Sequence, residues 1–182
     1  MIDANDLQLT LTRLKNVLDD LPVKYHLTGG LASSYYGEPR FTQDIDVVLI
    51  ISEGILFNSL IEKLSDKFII DSHVALDSVA RKTIFQALDE ESMIKVDFHV
   101  GEAIEGELGR SLLIELFPGI SIPLVSKEDA VLSKLLWIKK GSHKSRQDVA
   151  MMLKNPDKID RKYLNIQALK LGVQEILKEF ES

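Results

Sequence analysis

Leu7, Leu11, Leu14 and Leu18 recur at helical spacing behind the cap candidates Asp3 and Asn5, so residues 4–20 are predicted to form an amphipathic helix that ends before Pro22. Residues 25–28 make a short candidate strand. Gly29-Gly30 then opens into a short helix over 31–36, and Gly37, Pro39 and the polar positions to Gln43 form a loop. Residues 44–51 are apolar and β-branched after their first positions and too few for a lone helix, which predicts a strand. Ile55, Leu56, Leu60, Ile61 and Leu64 predict a helix over 53–66. Residues 83–88 and 93–100 flank the polar stretch 89–92, the pattern of a hairpin with a four-residue loop. A further extended stretch covers 112–124, interrupted by Pro118-Gly119 and by Pro123. The grammar changes at Ser126-Lys127-Glu128-Asp129, a capping sequence with Asp where Glu is usual. Helices follow over 130–139, ended by Gly141, over 146–153, before Asn155-Pro156, and over most of 163–180 around Gly172. The pattern divides the chain into an α/β part, residues 1–125, and an all-helical part, residues 126–182.

A chain of 182 residues, 45% hydrophobic and 27% charged, has the make-up of a globular protein with its own core. It contains no cysteine, which excludes a disulfide framework, a thiolate nucleophile and a zinc ribbon. A net charge of −6 will not hold nucleic acid by bulk attraction. A local basic patch survives that exclusion: Lys139, Lys140, Lys144 and Arg146, with His143 among them. Arg146 is expected to face a cleft and the three lysines to meet a polyanionic acceptor such as RNA; a solvated loop between helices is the alternative. The first six residues have neither the basic nor the apolar region of a signal peptide, and the aliphatic run 47–51 is far below the about 20 residues of a membrane span. A soluble, cytoplasmic protein is expected.

The strongest chemical signal is Asp44-Ile45-Asp46. On a strand the two carboxylates project from one face, where each raises the other's pKa and a hard divalent cation, Mg²⁺ or Mn²⁺, offsets the repulsion. The alternative is a solvated strand end that discourages edge pairing. Asp97 also falls on a predicted strand. Should that strand lie beside the first, three carboxylates converge as the ligands of a two-metal site; otherwise Asp97 pairs with Lys95 or Arg81. Gly29-Gly30, between strand and helix, permits close backbone approach and offers free N–H groups to a phosphate, or is an ordinary turn. Arg40 and Thr42 precede the aspartates closely enough to reach a phosphate, although Arg40 could equally pair with Asp44. Trp137, one turn from Lys134, is expected in core or interdomain packing, with a base-stacking platform as the alternative. His99 shares the face of Asp97 and is expected to be structural, with a catalytic or ligand role as the alternative.

Thr28-Gly29-Gly30, thirteen residues, then Asp44-Ile45-Asp46-Val47, with Asp97 on a later strand, resembles the nucleotidyltransferase superfamily of DNA polymerase β. The fuller strings, 27–32 and 37–46, resemble the branch of the AbiEii abortive-infection toxins and the MenT toxins. Lys134, Arg146-Gln147-Asp148-Val149 and the tail around Leu171-Gly172-Val173 are similar to motifs of the same branch. The resemblance implies an α+β fold, a nucleotidyltransferase-type mixed sheet with flanking helices and a C-terminal helical half, with the catalytic core in residues 1–125. It implies NMP transfer from an NTP to an acceptor hydroxyl on RNA, protein or a small molecule, assisted by two Mg²⁺ ions. Asp44, Asp46 and Asp97 would hold metal, Asp97 would also assist deprotonation, and Gly29, Gly30, Arg40, Thr42, Lys134 and Arg146 would serve the nucleotide. Asp148 would organise the site from the helical side, and an antitoxin would be the partner. Many relatives carry Gly-Ser where this chain has Gly-Gly. Competing readings are an antibiotic-type small-molecule nucleotidyltransferase, a non-catalytic binding module on the same fold, and a phosphohydrolase. The three aspartates argue against the module, and the lack of paired histidines against the hydrolase.

Overall fold

The computed structural model describes residues 4–40, 42–155 and 159–180. Leu11, Leu14 and Leu18 are fully buried along one side of α1 (Ala4–Asp19). Asn5 lies inside this helix and does not cap it, while the other cap candidate, Asp3, the loop residue Phe41 and the terminator Pro156 fall outside the described residues. The chain continues through β1 (Lys24–Thr28), α2 (Gly29–Tyr36), β2 (Asp44–Ile50) and α3 (Ile55–Ser65). Two elements follow that hydrophobic periodicity does not reveal, β3 (Phe68–Ile70) and α4 (Ser72–Arg81). β3 is too short to alternate. α4 buries little more than Ala75 and Val79, and its start is set by Asp71, whose carboxylate accepts from the N–H groups of His73 and Val74. The expected hairpin is β4 (Ile84–Asp89) and β5 (Lys95–Val100). A 3₁₀ turn, Glu107–Arg110, leads into β6 (Leu112–Phe117) and β7 (Ile120–Leu124), where Pro123 is accommodated opposite Leu113 without ending the strand.

From Ser126 onward the regular elements among the described residues are all helices: α5 (Lys127–Lys139), α6 (Lys144–Lys154), α7 (Arg161–Lys170) and α8 (Gln174–Lys178). Ser126 caps α5 by accepting from the Asp129 N–H, as the sequence predicts. The seven strands form one mixed sheet in the order β3-β4-β5-β2-β1-β7-β6, so the fold is the expected α+β arrangement of a mixed sheet with flanking helices. β2 runs antiparallel to β1 and parallel to β5.

Strand alternation sorts the sheet into two faces. Ile45, Val47, Leu49, Val96, Phe98, Phe85 and Ala87 are buried with the apolar sides of α1, α3 and α4 in a single core. The opposite face carries Asp44, Asp46, Lys95, Asp97, His99, Ile84 and Gln86, and residues of β2, β4 and β5 on it meet in register: Asp46 with Asp97, Asp97 with Gln86, and His99 with Ile84. The C-terminal helices approach this polar face through α2, which contacts both α5 and α6. Among the described residues no helix is long and apolar enough to cross a membrane.

Candidate active site

The turn from β1 into α2 brings backbone against a carboxylate. Gly29 has φ +63°, and a Cβ there would stand 1.8 Å from Asp46 Oδ2, so only glycine lets Asp46 approach the first turn of α2. The Gly30 N–H donates to the same oxygen at 3.4 Å. A Cβ on Gly30 would meet Thr42 Oγ1 at 2.5 Å, and that hydroxyl donates to Asp44 Oδ1 at 3.1 Å. The space that a serine would fill at position 30 is therefore already held by a hydroxyl, delivered from the loop before β2.

His99 Nε2 contacts Asp46 Oδ1 at 3.1 Å, a link made by strand register, not by any spacing in the sequence. Burial works to raise the Asp46 pKa, but His99, the Gly30 N–H and the field of Lys134 outweigh it and hold the carboxyl below its ordinary value. The mutual upward shift expected of two neighbouring aspartates is thus overruled for Asp46, because donors and a cation surround it.

The second wall comes from the helical segment. Asp148 on α6 is 5% exposed and binds two cations. It accepts from Arg40 Nε at 3.0 Å and Nη2 at 3.1 Å, and from Lys134 Nζ at 2.9 Å. These cations outweigh burial and lower its pKa. Arg40 is therefore not paired with Asp44. It fastens the loop before β2 to α6, and Asp148 holds Arg40 and Lys134 facing the aspartates.

Both walls line one cavity of about 720 Å³. Gly29, Gly30, Arg40, Thr42, Asp44, Asp46, Lys134 and Asp148, all singled out by sequence, are gathered in it, together with His99, Trp137, Lys140 and Lys144. Two predicted residues do not line it. Asp97 is paired in register with Asp46, but its carboxylate accepts from Lys95 Nζ at 2.8 Å and from Gln86 Nε2 at 2.9 Å. Arg146, expected to face the cleft, is bound to Glu179 at 2.6 Å because its position on α6 turns it towards α8. Trp137 corrects the sequence reading in the other direction: it is 44% exposed and lines the cavity instead of filling the core.

Asp44 and Asp46 form an all-oxygen pair suited to a hard divalent cation, with the glycine turn holding Asp46 close to backbone N–H groups that suit phosphate. Among the described residues no group of three His, Cys, Asp or Glu side chains stands together as a metal cluster, and the Asp97 carboxylate is held by Lys95 and Gln86.

The architecture that carries this site is that of a nucleotidyltransferase. It is similar to an antigenic nucleotidyltransferase-like protein from Paracoccidioides brasiliensis, with 18% identity over 98% of this chain and 90% of that one and a TM-score of 0.64. It is also similar to the antibiotic-resistance factor ANT(2'')-Ia, with 12% identity over 96% and 97% and a TM-score of 0.59. A third likeness is to the lincosamide antibiotic adenylyltransferase LnuA with lincomycin bound, with 16% identity over 83% and 96% and a TM-score of 0.52. Residues 12–175 match the family described as nucleotidyl transferase AbiEii toxin, type IV toxin–antitoxin system. The chain belongs to that family and is a transferase enzyme. No curated protein matches it at a significant level.

Proposed function

We propose that the protein moves a nucleoside monophosphate from an NTP to an acceptor hydroxyl, on RNA, a protein or a small molecule, and that an antitoxin restrains it. The reading is carried by one observation: a strand-borne aspartate pair, a glycine turn and the cations Lys134 and Arg40 share a single cavity. Asp44 and Asp46 would hold Mg²⁺, whose charge offsets that building on the phosphate oxygens as pyrophosphate leaves. The Gly29-Gly30 turn and the Thr42 hydroxyl meet the phosphates. Lys134, a compact charge on a long reach, follows the pyrophosphate, and Arg40 supports it from the other side of Asp148. The acceptor oxygen bonds to the α-phosphorus as the bond to pyrophosphate breaks, and the acceptor proton passes to the carboxylate row of β2 and β5. Asp97 takes it in this reading, once the Lys95 ammonium has swung aside.

The test is label transfer from each of the four α-labelled NTPs into RNA, protein and small-molecule acceptor pools, with pyrophosphate release followed in parallel. Asp44→Asn and Asp46→Asn are expected to lose at least about 10²–10³-fold in transfer, the scale on which one electrostatic contact to a developing charge acts. Circular dichroism of both variants should stay native. Variants as active as the wild type would remove the aspartates from the chemistry and the proposal with them.

A further inference from the structure

Trp137 is the chain's single tryptophan and, among the described residues, the one Phe, Tyr or Trp side chain lining the cavity. The ring is 44% exposed, whereas neighbouring positions of α5 are buried, with Leu132 and Leu135 at 0%, so the helix turns Trp137 to the cavity and not to the core. Lys134, Trp137 and Lys140 make a cleft-facing stripe at helical spacing. Lys140 Nζ stands 5.2 Å from the ring centroid, close enough for a cation–π contact that steadies the indole.

We propose that the Trp137 indole is the stacking platform for the nucleobase of the NTP. The assignment rests on the proposed triphosphate contact of Lys134. Trp137 follows it by three residues, about 4.5 Å of helix rise, a span on the scale of the ribose that separates base from phosphate. A base of any identity presents a π-face, so such a platform contributes affinity without choosing between NTPs. Lys140, on the far side of the stripe from Lys134, keeps the ring in place and draws polyanionic ligands towards it.

The single tryptophan makes the test direct. ATP, GTP, CTP and UTP with Mg²⁺ are each expected to quench its fluorescence on binding, whereas inorganic tripolyphosphate binds without quenching. By calorimetry, Trp137→Ala should weaken NTP binding about tenfold or more and leave tripolyphosphate binding within about twofold, and Trp137→Phe should restore most of the loss. Lys134→Ala should weaken both ligands, which separates the phosphate contact from the base contact. NTP binding by Trp137→Ala within about twofold of wild type overturns the proposal. So does quenching by a short single-stranded RNA but by no NTP, which gives the indole to an acceptor strand. Binding of neither NTP nor tripolyphosphate by the wild type defeats the nucleotide reading itself, and this inference falls with it. If Trp137→Ala does not fold, the quenching comparison and Trp137→Phe decide alone.

Discussion

Two polar clusters are built from similar side chains and do opposite things with them. Beneath the start of α5, Asp129 is fully buried and accepts four hydrogen bonds: Arg110 Nε at 2.8 Å, Arg110 Nη2 at 3.3 Å, Ser126 Oγ at 2.9 Å and Tyr163 OH at 2.8 Å. A carboxylate offers about four acceptor sites, so nothing is left for a ligand. In the cleft, among the described residues, Asp44 accepts from one hydroxyl, and Asp46 hydrogen-bonds only with the Gly30 N–H and His99. Saturation marks a carboxylate that holds the fold together, and unfilled sites facing a cavity mark one that can take a ligand. The same contrast separates the cations: Arg110 faces the saturated Asp129, while Lys134 and Arg40 share the one carboxylate of Asp148, so that triad of two positive charges and one negative lines the cleft opposite Asp44 and Asp46.

The sharpest way to break this division is to remove one charge from each cluster. Asp129→Asn takes the negative charge from Arg110, which keeps only the Glu105 carbonyl and the Tyr163 ring among the described residues, and leaves Tyr163 and Ser126 competing for one amide; it is expected to cost about 3 kcal/mol, the low end for breaking a buried pair because Arg110 is partly solvated. Asp44→Asn should move stability by no more than about 0.5 kcal/mol. Urea midpoints at constant m-value give both numbers. Equal losses would mean that the cleft aspartate is as structural as the buried one, and the contrast would collapse.

The sequence made the open cluster legible and hid the closed one, for reasons that lie in the fold. Asp44 and Asp46 are neighbours on one strand, and Gly29-Gly30 sits at the mouth of the adjoining helix, so local spacing alone suffices to group them. Asp129 can be read from sequence only as part of a cap. Arg110 lies in a segment with no apolar period, and Tyr163 is a further 53 positions along the chain, so their meeting depends on how β6, α5 and α7 assemble. His99 and Trp137 were hidden differently. Period-2 and period-3.6 patterns say which residues share a face, but not what covers that face. His99 was grouped correctly with Asp97, yet its partner Asp46 belongs to a parallel strand whose register the sequence does not encode. Asp97 shows the converse. It lies beside Asp46 as the three-aspartate pattern required, but Lys95 and Gln86 compete for its oxygens, and that competition is set by side-chain reach.

A smaller effect would sharpen the description of the open cluster. Gly30→Ser introduces the serine common in relatives, but its Cβ would press on Thr42 Oγ1 at 2.5 Å and on Thr42 Cβ at 3.1 Å. The φ of Gly30 is not positive, so the conflict is between side chains alone. Overpacking of this kind costs about 1–3 kcal/mol, and here it also frees Asp44 from its hydroxyl partner. Thermal melts should show the loss, and NTP affinity should fall, not rise. Adding Thr42→Ala should recover stability, giving a coupling energy between the two sites. A single variant that melts and binds like wild type would show that the Thr42 hydroxyl does not occupy the serine's place.

The smallest effect belongs to the closed cluster and is read through pH. His26 is fully buried, its Nδ1 2.7 Å from Ser111 Oγ, while its Nε2 has no hydrogen-bond partner among the described residues and lies 3.7 Å from Glu107 Oε2. Burial drives the imidazole's pKa down to about 4, against the pull of Asp129 and Glu102. An unfolded chain titrates this histidine near 6.5 and so binds more protons than the native protein between the two values. Its contribution to stability is therefore complete above pH 6.5 and is lost as pH falls towards 4. Glu107 leans the other way: burial raises its pKa, so acidification relieves its charged form and offsets part of the slope. His26→Gln removes the first effect and leaves the second. Between pH 6.5 and pH 5, the wild type should lose roughly 1.5 kcal/mol more than the variant, below the ceiling of about 2 kcal/mol that one proton sets over that interval. Urea midpoints that fall in parallel for the two proteins would mean that the imidazole is not held neutral by burial. The closed cluster would then be as open to water as the cleft, and its difference from the aspartates of β2 would rest on hydrogen bonds alone.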